Sequence, residues 1–152
     1  MEMKATTTIA RPVDEVSTYV LDVSNDANWR YGVDESGYRS GDSFSHGSIG
    51  FTRAGEVEAE WKVLSSIPVQ SVDWELLNGP FKGRGGYRFR AVEGGTQFTL
   101  VSDVEPTGLY RLLGPIFGMI GRRRNRSDVE RLRAILESPA DPGEPWKQGI
   151  RS

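Results

Sequence analysis

Tyr87-Arg-Phe-Arg-Ala-Val-Glu-Gly-Gly-Thr-Gln-Phe-Thr-Leu-Val-Ser102 sets two alternating segments around a glycine pair. Tyr87 and Phe89 alternate with Arg88 and Arg90. Gly94-Gly95 marks a hairpin turn, and Phe98, Leu100 and Ser102 alternate with Gln97, Thr99 and Val101. A period of two sends alternate side chains to opposite faces, so this is an antiparallel pair with one apolar and one wet face.

The same period runs upstream. Val72, Trp74 and Leu76 alternate with Asp73 and Glu75, and Asn78-Gly79-Pro80 is a turn signal. Glu58, Glu60 and Lys62 alternate with Ala59, Trp61 and Val63, and Ile67-Pro68 ends that run. Ile49, Phe51 and Arg53 share one phase, with Ser48, Gly50 and Thr52 on the other. An irregular strand is expected around Ser36 to Ser40, followed by a turn at Ser45-His46-Gly47. At the start, Lys4-Ala-Thr-Thr-Thr-Ile9 is β-branched and reads as a strand.

Helical spacing brackets this β region. Pro12 opens a helix carrying Val13, Val16, Tyr19 and Val20 on one face, with Asp14 and Glu15 in its first turn. Ser24 is the expected cap of a second short helix towards Trp29. Past Pro106, an apolar stripe of Leu109, Leu112, Leu113, Ile116, Phe117 and Ile120 continues through Val129, Leu132, Ile135 and Leu136. Gly114-Pro115 is expected to kink or restart that helix. The Pro-rich run after Glu137 ends regular structure. Residues 1–137 are therefore expected to form one domain and 138–152 a flexible tail.

The expected class is α+β: a curved antiparallel β-sheet wrapped around a long C-terminal α-helix, with two short helices near the N-terminus. The first strand can pair with the last. A sheet this curved leaves a gap below the helix, and aromatic-lined gaps hold small apolar ligands.

Composition removes several functions. There is no cysteine, so disulfides, thiolate chemistry and Cys-based metal sites are excluded. One histidine, His46, cannot build a multi-histidine metal site, and neither a metal nor a cofactor is expected. Nineteen Lys and Arg against 21 Asp and Glu give a net charge of −2, which is not a nucleic-acid-binding balance. The start Met1-Glu-Met-Lys4 has no apolar run behind it, and no stretch is long and apolar enough to span a bilayer. The expected location is cytoplasmic.

Ile9-Ala-Arg-Pro-Val-Asp-Glu-Val16, Tyr19-Val20, Asp22-Val-Ser-Asn25 and Trp29 resemble the opening of the SRPBCC (START-like) superfamily, in its polyketide cyclase/dehydrase and lipid transport branch. Gly47-Ser-Ile-Gly50, Trp74, Gly94-Gly-Thr96 and Val129-Glu-Arg-Leu-Arg-Ala-Ile-Leu-Glu137 extend the resemblance over residues 3–137. It implies the helix-grip fold and a deep hydrophobic cavity between sheet and long helix. Ser17 departs from a position where this branch often has a large aromatic, which implies looser packing of the first helix. No cluster of His, Asp and Arg marks a cyclase site, and no catalytic residue is assigned.

The expected ligand-binding residues are Trp29, Trp61, Trp74, Tyr87, Phe89, Phe98, Leu113 and Phe117. For most of these aromatics, taken singly, core filling is the preferred reading. The expected function is binding of a small hydrophobic or aromatic, lipid- or polyketide-like molecule. One alternative is a cyclase or dehydratase working by shape and a few polar groups, with Arg53, Ser102 and Tyr87 as the polar candidates on the cavity phase. The other is a membrane-surface carrier using Arg122, Arg123, Arg124 and Arg126, although a solvated helix face offset by Asp128 and Glu130 is the preferred reading of that patch. Oligomeric state stays open, a homodimer included. His46 reads as an exposed turn residue, Asp22 and Asn25 as helix caps, and Asp73 and Glu75 as solvated. Lys82-Gly-Arg-Gly-Gly86 reads as a flexible hairpin that could set Arg84 at a cavity mouth to hold an anionic head group.

Overall fold

The computed structural model describes residues 2–138, apart from the side chains of Leu113 and Pro115. The expected tail lies outside the described residues except for Ser138. Strand β1 (Glu2–Ile9) leads into helix α1 (Val13–Leu21), a 3-10 turn (Val23–Asn25) and the short helix α2 (Asp26–Trp29). Six strands follow: β2 (Glu35–Ser40), β3 (Ile49–Ala54), β4 (Val57–Ile67), β5 (Ser71–Leu76), β6 (Phe81–Val92) and β7 (Gly95–Pro106). A second 3-10 turn (Gly108–Leu113) precedes helix α3 (Gly114–Glu137). The strands form one antiparallel sheet in the order β1-β7-β6-β5-β4-β3-β2. This is the helix-grip fold, and the first strand does pair with the last.

Cross-strand partners share a face, so the register identifies the concave side. Phe98 opposes Phe89 and Thr7, Leu100 opposes Tyr87 and Ala5, and Tyr87 opposes Val72. Trp74 opposes Val63 and Gly85, and Trp61 opposes Leu76 and Gly50. Irregular register at Val63–Ser65 and at Tyr38–Ser40 adds bends to the two strands concerned. In β1, Met3, Ala5, Thr7 and Ile9 are buried while their neighbours are exposed, as a half-buried strand requires.

This register corrects one phase. Gly50, Thr52 and Ala54 face inwards, and Ile49, Phe51 and Arg53 face out. Arg53 pairs with Glu35 at 2.8 Å on the convex side, so it is not a cavity residue. Phe51 is buried although it faces outwards, because its ring is covered by the Arg39 guanidinium, 4.1 Å from its centroid.

α3 lies across β1 and touches β7. Val129 and Leu132 are fully buried and Leu136 nearly so, in one cluster with Ile9, Val16, Val20, Trp29, Phe98 and Leu100. A Cβ at Gly121 would strike Met3 Sδ, so glycine there permits the close approach of α3 to β1. The C-terminal end is tied down by polar contacts: Thr7 Oγ1 donates to Glu130 Oε1 at 2.9 Å, and Arg11 Nε to the Leu136 carbonyl at 2.8 Å. Ser17 is buried with its hydroxyl donating to the Asp14 carbonyl.

The first half of the apolar stripe behaves differently. Leu109 and Leu112 are 84% and 86% exposed, and Ile116, Met119 and Ile120 are also exposed. Gly114, at φ 49°, separates the 3-10 turn from α3, a backbone conformation that favours glycine. Lys82 to Gly86 lies inside β6 rather than in a hairpin, and the turn before it is at Asn78–Pro80.

Candidate binding cavity

Beyond the reach of α3, the concave face over β3, β4 and β5 encloses a hollow of about 270 Å³. It is small beside typical ligand pockets of roughly 300–1,000 Å³. Two cross-strand glycines help make it. Gly50 lies under the Trp61 ring, and a Cβ at Gly85 would sit 2.7 Å from the Trp74 indole. Each indole therefore lies flat on its neighbouring strand and leaves the space above it open.

Aromatic contacts build the wall. Phe44 folds in from the β2–β3 loop and stacks on Trp61 at 5.4 Å and 12°. Trp74 meets Tyr87 edge-on at 4.8 Å. Leu76, Pro80, Phe81 and the small side chains Thr52, Ala54 and Ala59 complete the lining with Val33 and Val57. Trp61 Nε1 donates to Thr52 Oγ1 at 3.1 Å, which satisfies that buried indole.

One corner is polar. Asp26 opens α2, and Arg30 follows its last residue with its amide donating to the Asp26 carbonyl at 2.8 Å, which holds the two residues one turn apart. Both line the hollow together with Tyr87. Arg30 Nη1 donates to the Tyr87 hydroxyl at 3.2 Å, and Arg30 Nε to Asp128 Oδ2 at 3.3 Å. The second Asp128 oxygen accepts from the Tyr31 amide at 3.0 Å. Asp26 is 7% exposed, and its Oδ1 has no hydrogen-bond partner. Burial pushes the Asp26 carboxyl up to about 6, against the opposing pull of the Arg30 charge and a hydrogen bond from Ser36. Burial also raises the Tyr87 hydroxyl well above its usual range. The Asp128 carboxyl moves up for the same reason, with Arg30 opposing.

Of the residues expected from the sequence, Trp61, Trp74 and Tyr87 line the hollow. Trp29 lies below it, 5.9 Å from both Tyr87 and Phe98, and Phe89 and Phe98 pack on each other at 5.4 Å in the filled core. Phe117 packs against Phe81 at 5.2 Å, behind one lining residue. The Leu113 side chain lies outside the described residues. Ser102 faces α3, within 3.5 Å of Asn125 Nδ2. Asp26, Arg30, Phe44, Leu76 and Phe81 also line the hollow, and none of them is among the residues expected from the sequence. Leu76 shares the phase of Trp74, and the Asp26–Arg30 spacing around Trp29 was a usable signal. Phe44 had none beyond being the one large apolar residue in a Gly- and Ser-rich loop.

The other candidates fall elsewhere. His46 is exposed in its turn. Asp22 caps the first 3-10 turn by accepting from the Ser24 amide and hydroxyl, whereas α2, which Ser24, Asp22 and Asn25 were expected to cap, starts after Asn25 with no side-chain cap. Asn25 Nδ2 donates to the Tyr19 carbonyl. Asp73 binds Arg88 at 2.7 Å on the convex face, and Arg84 is exposed on that same face, away from the hollow. Arg122, Arg123, Arg124 and Arg126 are exposed, with Arg124 over the Tyr31 ring at 4.6 Å. Asp128 turns inwards to Arg30 and Glu130 pairs with Arg133, so the expected offset of that patch comes from neither. Among the described residues there is no group of side chains that could hold a metal ion and no helix long and apolar enough to cross a membrane.

A helix-grip sheet with a hollow beside its long helix defines a class, and the comparisons narrow it. The chain belongs to the polyketide cyclase/dehydrase and lipid transport family, whose profile matches residues 1–137. Among solved structures, the chain is similar to TTHA0849 from Thermus thermophilus, at TM-score 0.75 and 16% identity over 90% of this chain and 97% of that one. It is similar to the Zhui aromatase/cyclase of a Streptomyces species at TM-score 0.74 and 15% identity, over 90% and 93%. The protein Ara h 8.0201 superposes at TM-score 0.67 and 10% identity, over 91% and 99%. No curated protein sequence matches the chain.

Proposed function

We propose that the protein binds a small apolar, aromatic molecule in the hollow between β3–β5 and α2. The observation that carries this is an unfilled space of about 270 Å³ walled by Phe44, Trp61, Trp74, Leu76 and Phe81, in a domain whose other half is close-packed. Interiors rarely leave such space without use, and apolar walls around it favour an apolar occupant. Membership of a family that includes lipid transport agrees with the reading.

The test is titration with naphthalene, followed by intrinsic tryptophan fluorescence, since Trp61 and Trp74 border the space. Saturable quenching is expected. Ala54→Phe places a ring in the hollow and should abolish it with the fold intact by circular dichroism. Unsaturable quenching, or an undiminished response in the variant, would remove the reading.

A second reading, cyclisation or dehydration of a polyketide-like chain, is favoured by Asp26. A buried carboxyl that titrates at about 6 beside a cationic side chain can exchange a proton near neutral pH. Turnover of a linear polyketide mimic that Asp26→Asn removes would support it, and no turnover by the parent protein would exclude that mimic.

A further inference from the structure

The segment from Thr107 to Ser127 carries five arginines and no acidic residue. That is +5 in a chain of net −2, which leaves −7 on the rest. The same segment is apolar at its start. Of the eleven large apolar side chains exposed among the described residues, six lie between Leu109 and Ile120. Single exposed apolar residues are ordinary, but a contiguous patch marks a surface that meets a partner. Phe81 ties the two pieces of this patch together, with Tyr110 of the 3-10 turn at 6.0 Å and Phe117 of α3 at 5.2 Å. Val57 extends its edge, in a shallow depression shared with Leu109 and Tyr110.

The helix sorts the two features along its axis. Ile116, Met119, Ile120 and Arg123 follow one another at spacings of three and four, so they share one stripe of α3. Its first two turns are apolar and the next is basic, with Arg122 and Arg126 beside Arg123. Ile116 and Arg123 are roughly 10 Å apart along the axis, at about 1.5 Å per residue. Among the described residues none of the five arginines is in an ion pair, whereas Arg131 and Arg133 further along α3 both are. Their charge is left for an external anion.

Three occupants can cover such a face. A second copy in a two-fold contact would bring the same arginines against the first set, with no carboxylate in the segment to oppose them. A groove on another protein must match the shape of what it receives. Leu109 and Leu112 are the most exposed large apolar side chains described, so they project as single prongs rather than as a shaped surface. A lipid interface accepts projecting apolar side chains without a matching shape, and its phosphates carry the sign that the arginines need. Long arginine side chains also reach from an embedded helix back to head-group depth.

We infer that the protein docks on anionic lipid surfaces through the 3-10 turn and the first half of α3. Leu109, Leu112, Ile116 and Met119 enter the acyl boundary, and Arg122, Arg123 and Arg126 bind the phosphates. The helix lies on the bilayer without spanning it. This docking is independent of what the hollow holds.

The test is flotation of the protein with vesicles of phosphatidylcholine alone, and of phosphatidylcholine mixed with phosphatidylglycerol. Binding is expected to the mixed vesicles only, and should weaken as sodium chloride screens the surface charge. Arg122→Gln/Arg123→Gln should weaken it about 25-fold, at roughly fivefold per arginine. Leu109→Ser/Leu112→Ser should weaken it about tenfold or more. All four side chains are exposed, so both double variants should melt like the parent. Arg84→Gln removes a charge from the convex face of the sheet and should bind as the parent does. Equal binding to both vesicles, binding to neither, or mixed-vesicle binding that either double variant retains overturns the inference. So does a dimer in sedimentation velocity that Leu109→Ser/Leu112→Ser dissociates, which would give the face to a second copy.

Discussion

On the β1–β7–β6 side of the sheet, Phe89, Phe98 and Leu100 meet Val129, Leu132 and Leu136 of α3, and none of the six is more than 5% exposed. On the β3–β4–β5 side, Trp61, Trp74 and Leu76 face a hollow of about 270 Å³. β4, β5, β6 and β7 carry the same alternation, with large apolar residues on the inward phase. What separates the two sides is the element above. α3 lies across β1 and supplies branched side chains that interdigitate with the aromatics below. The other side is roofed by Phe44 from a loop, by Asp26 of the one-turn helix α2 and by Arg30 just past its end. An inward aromatic is thus core or cavity wall according to whether a helix covers it.

The largest expected effect breaks the filled side. Leu132→Asp sets an unpaired charge among fully buried side chains and should cost about 3–5 kcal/mol. At this chain length that lowers Tm by on the order of 10 °C. A thermal melt within two degrees of the parent, roughly a half to one kcal/mol, would mean that α3 does not seal this side.

The hollow side should respond through space rather than burial. Gly85→Val drives a side chain into the Trp74 indole and should push the ring into the hollow. Overpacking of this kind costs about 1–3 kcal/mol, seen in a urea melt, and the naphthalene response should weaken with it. Unchanged binding would show that the indole has somewhere else to go.

Asp26→Asn should stabilise the unliganded protein. The Asp26 carboxyl titrates at about 6 when folded, among Arg30, Ser36, Asp22 and Tyr38, against about 3.9 in an unfolded chain. The folded state therefore holds the proton more tightly, and this group's contribution declines as pH rises from roughly 4 to 6. The asparagine variant lacks that decline. It should be about 1–3 kcal/mol more stable at pH 7.5, with the gap closing towards pH 4. Urea melts at the two pH values measure it, and a pH-independent difference would contradict it.

The smallest effect is expected on the outer half of the stripe. Ile116 is 55% exposed, so Ile116→Ser should change stability by no more than about 0.5 kcal/mol. A loss as large as that from a buried position would show that this half of α3 is covered after all.

Periodicity made the element order legible. The β1–β7 pairing, the restart at Gly114 and the burial of Leu132 and Leu136 all follow from patterns of two and of 3.6. The candidate site was legible only in part. Trp61, Trp74 and Tyr87 declare themselves by their phase, but Phe44 enters from an irregular loop that has no period. Arg53 was placed on the wrong face because its strand alternates Gly and Thr inwards with Phe outwards. The contrast that normally identifies the wet face is inverted there, and only the pairing of Gly50 with Trp61 reveals it.

Which residues alternate, where helices begin and stop, and the absence of thiol or multi-histidine chemistry can all be read along the chain. These are local properties, set by side-chain spacing, capping and composition along one segment at a time. Packing between distant elements sets which aromatics are core and which are wall, leaves Leu109, Leu112, Ile116 and Ile120 of the apolar stripe exposed, and brings Asp26 and Arg30 to Tyr87 in one buried corner. Each of these depends on what lies on the other side of a face, and that comes from elements far away in the chain.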